Sequence, residues 1–447
     1  LARQLFGTDG IRGKAGEYPL DGATAFGLGA ALGAWARGKA EAPKVLLGMD
    51  TRESGPWLAE AVAGGLRSVG VEPVFAGVLT TPAVAYLAKT GNFVAGVMIS
   101  ASHNPYEDNG LKVFDHSGYK LPDTVELELE TEILRRREAV QAPAGALKAD
   151  SKLASLYLDY LAGTFPYSLE GMRLVLDCAH GAAYQVAPEL FRRLRAEVVS
   201  VADAPDGRNI NAGVGALHTE NLQREVLARD ADFGIAFDGD ADRAMFATAS
   251  GKILNGDAAL LVCARSLQKA GRLAGNRVVA TVMSNLGLER ALAKSGIAMA
   301  RTAVGDKYVL EEMLATGAVL GGEQSGHVIF REYATTGDGL LTALRFLAVV
   351  AESGQTADEL TADWEVFPQL IVNVKVKERK PLADLSAVQA GIAMCERDFA
   401  GAGRVLVRYS GTELLARVMV EGDDAARVEE YAHKIADLLE QEVGACL

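Results

Sequence analysis

Three times along its 447 residues the chain passes from a short apolar strand through a polar turn into an amphipathic helix, then into a second strand. The opening strands lie at 44–50, 172–177 and 276–282. The helices fall near 57–69, 183–195 and 286–295, and the second strands at 72–75, 197–201 and 297–300. Strand, helix, strand at this length is a βαβ unit, and its two strands must run parallel. A repeat of this kind predicts an α/β chain built from three similar sheets with helical cover. The 48 glycines and 13 prolines suit its many tight strand–helix turns.

A further strand closes each copy and runs into a polar loop. Residues 93–99 lead into Ser100-Ala-Ser-His-Asn-Pro105. Residues 233–237 lead into Asp238-Gly-Asp-Ala-Asp-Arg243, and Ala318-Val-Leu320 into Gly321-Gly-Glu-Gln-Ser-Gly-His327. Ligands of open α/β sheets bind beyond the carboxyl ends of the strands. Three equivalent loops are therefore expected to form three walls of one cleft.

The C-terminal part departs from the repeat. It reads as strand 369–377, helix 384–396, strands 404–409 and 414–420, and helix 424–443, a smaller α+β domain. Linkers are expected at 138–145 and 366–368. The domains expected are 1–150, 151–253, 254–366 and 367–447.

Composition narrows the partners. The formal net charge of −13 repels a polyanion, so no nucleic-acid partner is expected. The short run Arg135-Arg136-Arg137 sits among glutamates on a helical stretch. The four cysteines, Cys178, Cys263, Cys395 and Cys446, have no CxxC spacing, which fits a reduced protein without structural zinc. No signal-type apolar segment opens the chain and no run is long enough to span a membrane. A cytoplasmic location and no membrane partner are expected.

The loops carry chemistry of different kinds. Asp238, Asp240 and Asp242 alternate directly after an apolar strand and can converge on one hard cation. An EF-hand would need Gly at the sixth position and Glu at the twelfth; here those are Arg243 and Ala249. Three carboxylates beside an arginine suit Mg²⁺ at a phosphoryl-transfer site. Ser102, beside His103 at a strand end, is a candidate nucleophile, and the turn Asp108-Asn-Gly-Leu-Lys112 offers an ammonium to an incoming phosphate. Read alone, Ser102 with His103 is a polar turn and Lys112 a surface lysine; it is the continuation of one into the other that shifts the balance.

Glu323, Gln324, Ser325 and His327 are groups that grip sugar hydroxyls, although a tight turn with a satisfied histidine reads the same way. In Arg408-Tyr-Ser-Gly-Thr-Glu413 an arginine, two hydroxyls and a glycine make a phosphate nest, or simply a hairpin turn. Arg12, in Phe6-Gly-Thr-Asp-Gly-Ile-Arg-Gly13, and Gly305-Asp306-Lys307 add weaker signals.

Taken together, five loops in order resemble the α-D-phosphohexomutase superfamily over the whole chain: Phe6–Arg12, Ser100–Pro105, Asp238–Arg243, Gly322–His327 and Arg408–Glu413. The resemblance implies three topologically similar mixed-sheet α/β domains plus a smaller C-terminal α+β domain around one central cleft. It implies that Ser102 is the phosphoserine position and, with Asp238, Asp240 and Asp242, a Mg²⁺ ligand. Glu323 and Ser325 look like the sugar contacts. Arg408, Ser410, Gly411, Thr412 and Arg417 look like the site for the phosphate that is not transferred. Arg12, His103, Lys112, Arg243 and His327 look like the polar groups around the reacting phosphate.

Gln324 resembles the loop of members acting on glucosamine phosphates, where the mannose- and glucose-phosphate members more often carry Met. Leu414 stands where the family usually has Pro, which bears on loop stiffness. The activity implied is interconversion of glucosamine 6-phosphate and glucosamine 1-phosphate, with glucosamine or glucose 1,6-bisphosphate as intermediate or activator. It would feed amino-sugar nucleotide and cell-wall precursor synthesis, from a homodimer. Mannose or glucose phosphates, a sugar-phosphate sensor without catalysis, and a phosphatase using Asp238 or Asp240 as nucleophile are the alternatives.

Overall fold

The computed structural model of the chain describes residues 4–136, 146–410 and 414–444. The expected linker at 138–145, the residues Gly411 and Thr412, and Cys446 lie outside the described residues.

The first sheet has six strands in the order Phe6–Gly7, Gly10–Lys14, Asp108–Asp115, Ala95–Ile99, Lys44–Met49, Glu72–Val78. Lys44–Met49 runs parallel to both of its neighbours, and Asp108–Asp115 returns antiparallel beside Ala95–Ile99. The second sheet repeats the scheme. Arg173–Asp177 is parallel to Glu197–Val201 and Phe233–Phe237, and Ala244–Thr248 returns antiparallel. In the third, Arg277–Thr281 is parallel to Leu320–Gly322, and Val328–Phe330 returns antiparallel. Each polar loop therefore joins the last parallel strand of its sheet to an antiparallel return strand. The fourth sheet is wholly antiparallel, with Leu415–Gly422 between Gln369–Lys375 and Gly403–Tyr409.

Burial follows from this order. Ala95–Ile99 and Phe233–Phe237 are buried at every position, as strands covered on both faces must be. Phe233, Phe246 and Phe346 stack at centroid distances of 5.2–5.4 Å and join the second sheet to the helix Gly339–Ser353. The closing strand of the third sheet is shifted from the sequence reading: 318–320 is the expected span, and the strand lies over Leu320–Gly322. Gly321 and Gly322 read as turn residues by propensity. Here they pair in the sheet because neighbours leave no room for side chains: a Cβ on Gly321 would lie 2.6 Å from the Met313 sulfur, and one on Gly322 2.6 Å from the His327 carbonyl.

The described chain forms two compact units, Leu1–Met283 with Met299–Ala362, and Ser284–Ala298 with Asp363–Leu447. The helix Leu286–Lys294 thus belongs with the C-terminal sheet. Within that unit Asn285 Oδ1 accepts from the Phe367 amide at 2.9 Å. The buried Glu421 carboxylate accepts from the Leu286 amide at 2.7 Å and from Arg404 Nε at 2.6 Å. Cys178, Cys263 and Cys395 are free and buried. No helix among the described residues is long and apolar enough to cross a membrane.

In the first domain the helices Gly22–Arg37 and Gly55–Ser68 approach through glycine. A Cβ on Gly65 would lie 2.1 Å from the Phe26 carbonyl oxygen and 2.6 Å from the Ala30 nitrogen, both backbone atoms that cannot rotate away. Gly65→Val should therefore force the helices apart and cost about 3 kcal/mol, the upper end of overpacking effects. A lowered midpoint in urea-induced unfolding checks this.

Candidate active site

Three loops from the three repeats meet in the first compact unit. Ser102, in the loop after the strand Ala95–Ile99, has a left-handed backbone, φ 53°, and is almost wholly buried. Its Oγ donates to Asp238 Oδ2 at 2.5 Å. Behind it Arg52, also buried, collects the carbonyls of the loop. Nη2 donates to the Ser102 and Asn104 oxygens at 2.9 and 2.8 Å, and Nη1 to those of Asp108 at 3.0 Å and of Pro105. Nε of Arg52 donates to Asp50 Oδ2 at 2.9 Å, and Ser100 Oγ donates to the same oxygen at 2.6 Å. The strand Lys44–Met49 thus ends in a buried ion pair whose task is to shape the neighbouring loop.

Asp238, Asp240 and Asp242 are buried, and one oxygen from each lies within 4.8 Å of the others. Burial raises the Asp238 carboxyl well above the usual carboxylate range, and the charges of Asp242 and Asp240 add to it. Burial and Asp240 likewise raise Asp242. For Asp240, burial is outweighed by the ammonium of Lys112, and its pKa is lowered. Lys112 Nζ donates to Asp240 Oδ2 at 2.8 Å, and Thr81 Oγ1 donates to the same oxygen at 2.5 Å. The Asp240 and Asp242 Oδ1 atoms, both buried, accept no hydrogen bond among the described residues. Two unpartnered carboxylate oxygens beside Asp238 fit a hard divalent cation.

Cationic and neutral donors face this cluster. Arg12 Nη2 pairs with Asp9, while Arg12 Nε and Arg243 Nε have no hydrogen-bond partner among the described residues. Arg243 Nε stands 3.8 Å from Asp242 and 3.9 Å from Asp238. Both ring nitrogens of the buried His327 also lack a partner, with Nε2 3.9 Å from Asp242 and 3.8 Å from Asp306. His103 is pushed down to about 3, by burial first and then by Arg243 and Arg12, so it is neutral at physiological pH. Its Nδ1 lies 3.4 Å from Ser102 Oγ.

The third loop closes on the second. The Ala244 amide donates to the Gly326 carbonyl at 3.1 Å. Gly326 holds φ 95°, and a Cβ there would fall 2.5 Å from the Ala244 oxygen, so only glycine fits. Glu323 Oε1 accepts from the Gly305 amide at 3.0 Å, and Ser325 Oγ lies 3.4 Å from its other oxygen. Arg408, Ser410 and Arg417 belong to the second compact unit. Arg408 and Arg417 face each other directly across the strand pair, and burial followed by the Arg417 charge lowers the Arg408 pKa. Two guanidinium groups in register favour an anion between them.

Six further residues carry the site and were not singled out for it from the sequence, although Asp9 and Asp306 lay in the two weaker motifs: Asp9, Arg52, Thr81, Lys120, Asp306 and Asp338. Lys120 Nζ bridges Asp9 and Asp306 at 2.5 Å each. Asp338 caps the helix Gly339–Ser353 through the Leu341 amide at 2.9 Å and accepts from Tyr157 at 2.8 Å. Arg52 had a readable signal: it follows Asp50 at a strand end, where the other loops carry their chemistry.

Two outcomes follow. Arg52→Met leaves Asp50 buried without its partner and should cost about 3–5 kcal/mol in chemical unfolding. Asp338 is raised from 3.8 to about 6, chiefly by burial, so the folded state holds a proton that the unfolded state releases between those values. Its stabilising contribution is complete below 3.8 and is lost as pH rises through 6. Across that window wild type should lose up to about 3 kcal/mol relative to Asp338→Asn in paired unfolding curves.

Residues 3–140, 155–251, 255–367 and 371–438 match, in order, the alpha/beta/alpha domains I, II and III and the C-terminal domain of phosphoglucomutase/phosphomannomutase. The phosphoglucosamine mutase of Solibacter usitatus is 60% identical over 445 residues, 99% of this chain and all of that one. That of Koribacter versatilis is 50% identical, covering 99% of this chain and 98% of its own. A phosphoglucomutase/phosphomannomutase family protein of Burkholderia thailandensis superposes with a TM-score of 0.79 at 26% identity, over 97% of this chain and 96% of that one. The N-acetylphosphoglucosamine mutase of Aspergillus fumigatus shares the fold, with a TM-score of 0.66 at 19% identity over 98% and 96% of the two chains. With four domain models matched in sequence order and relatives this similar along the whole length, the chain belongs to the phosphoglucomutase/phosphomannomutase family, the α-D-phosphohexomutases.

Proposed function

We propose that the chain is a phosphoglucosamine mutase, an isomerase that interconverts glucosamine 6-phosphate and glucosamine 1-phosphate through a phosphoserine and a 1,6-bisphosphate. The observation that carries this is the buried contact of Ser102 Oγ with Asp238, beside two carboxylate oxygens and nitrogens of Arg12, Arg243 and His327 that have no hydrogen-bond partner among the described residues. The sugar is inferred from the curated relatives, whose full-length identity reaches 60%, and from Gln324 in the third loop.

In this reading Ser102 carries the phosphoryl group. The P–Oγ bond breaks as the sugar O1 bonds to phosphorus, and the O1 proton passes to a neighbouring base. His327, with both ring nitrogens unengaged, suits that role. The bisphosphate turns around, Ser102 Oγ bonds to the second phosphorus as its P–O6 bond breaks, and the proton held by the base passes to O6. Bound at Asp238, Asp240, Asp242 and the serine, Mg²⁺ would neutralise charge on the transferring group. Arg12, Lys112 and Arg243 add positive charge there, and neutral His103 spares the phosphate a competing proton.

Glu323 and Ser325 would hold sugar hydroxyls. Arg408, Ser410, Gly411, Thr412 and Arg417 would hold the phosphate that stays. The reading extends to a homodimer working in the cytoplasm, which the family resemblance supports.

Ser102→Ala should abolish mutase turnover with the bisphosphate supplied, while the wild-type protein gains an acid-stable phosphoester. Turnover by the variant, or a hydroxylamine-labile phosphoprotein in its place, would exclude the serine and favour an aspartyl phosphate. Comparing kcat/KM for the 1-phosphates of glucosamine, glucose and mannose tests the sugar.

A further inference from the structure

We propose that Asn211 is a positioning residue for the phosphoryl carrier: it holds the Ser102 loop of the first domain in register with the aspartate loop of the second. The proposal rests on the mutase reading above.

Asn211 lies in the second domain, on the segment between the strand Glu197–Val201 and the helix Thr219–Ala228. Its side-chain amide nonetheless serves the first domain. Nδ2 donates to the Ser102 carbonyl at 3.0 Å and to the Asn104 carbonyl at 3.2 Å. Those are two of the four oxygens that Arg52 holds from the other side. The Asn211 backbone is fixed in its own domain, where its amide donates to the Ala179 oxygen at 2.9 Å.

Gly239, in the aspartate loop, completes the junction. A Cβ there would fall 2.5 Å from the Ser102 oxygen and 2.9 Å from Asn211 Nδ2. Three segments from two domains therefore meet around one carbonyl, that of the residue whose hydroxyl reaches Asp238.

The division of work follows from which domain each donor belongs to. Arg52 shapes the serine loop from within the first domain and would hold that shape if the second domain moved. Asn211 sets where the loop stands relative to Asp238. Displacing reacting groups by about 1 Å costs on the order of 10²-fold in rate. The sugar contacts, Glu323 and Ser325, lie in the third domain and do not touch Asn211. Losing the amide should therefore lower kcat and leave KM alone.

Asn211 holds φ 60°, so Asn211→Gly removes the side chain without straining the backbone. Asn211→Asp keeps the shape and removes the donors. Three quantities are measured for each: kcat and KM for glucosamine 6-phosphate with Mg²⁺ and glucose 1,6-bisphosphate, the rate of Ser102 phosphorylation by glucose 1,6-bisphosphate from intact mass, and Tm.

Both variants should lose about 10- to 100-fold in kcat and a similar factor in phosphorylation rate, with KM within about twofold of wild type. Their Tm should stay close to wild type. Wild-type turnover together with undiminished kcat in Asn211→Gly overturns the inference alone. So does a collapse of Tm in both variants, which would mark Asn211 as scaffold. If wild type neither turns over nor takes phosphate on Ser102, the mutase reading falls and this inference falls with it.

Discussion

Three carboxylates are buried side by side, one oxygen from each within 4.8 Å of the others, and next to them stands a serine proposed to carry a phosphate. Removing an ion from water costs several kcal/mol even after relaxation. An opposite charge at 4 Å returns about 4 kcal/mol at an effective dielectric near 20. A single partner therefore roughly balances one carboxylate and cannot hold three. The structure meets this with an alternating chain of charges. Arg12 pairs with Asp9, Lys112 lies between Asp9 and Asp240, and Lys120 lies between Asp9 and Asp306. Asp238 and Asp242 are left with raised pKa values. That residual repulsion is what a divalent cation would relieve.

The repeat explains how such a cluster is assembled without one segment carrying all of it. In each sheet the loop after the last parallel strand turns into an antiparallel return strand, so its backbone is held at both ends. The positions are equivalent and the chemistry is divided. The first domain brings the hydroxyl with Arg12, Lys112 and Lys120, the second the carboxylates and Arg243, the third Glu323, Ser325 and His327. Contacts of 2.5 Å from Ser102 to Asp238 and 3.9 Å from His327 to Asp242 follow from that equivalence. No residue on one loop could supply both partners.

This equivalence also decides what the sequence discloses. Ser102, the aspartate trio and His327 are legible because each sits in an unusual loop at a strand end. The strands and helices of the repeat are legible from their periodicity, to within a few residues. Thr81 and Lys120 are not. Their partners, Asp240 and Asp306, are 159 and 186 positions away, and a threonine or lysine taken singly has an ordinary surface reading. The strand Leu320–Gly322 escapes for another reason. Its two glycines are there for close approach to Met313 and the His327 carbonyl, a requirement that lives in packing and leaves only a turn signature in the chain.

The backbone of Ser102 shows what the surrounding bonds are for. A non-glycine residue at φ 53° costs on the order of 1–3 kcal/mol. A hydrogen bond from a charged donor contributes about 1.5–3 kcal/mol. One bond from Arg52 would offset the strain, yet its guanidinium reaches four loop carbonyls and Asn211 adds two further bonds. The surplus does not serve stability, which a relaxed loop would achieve with less. It serves direction. The left-handed turn aims Oγ at Asp238, and donors from two domains keep it aimed. A group proposed to give up a phosphoryl and take it back at the same place would need its oxygen to return to one position each time. On the proposed mechanism, that demand accounts for the number of bonds to this loop.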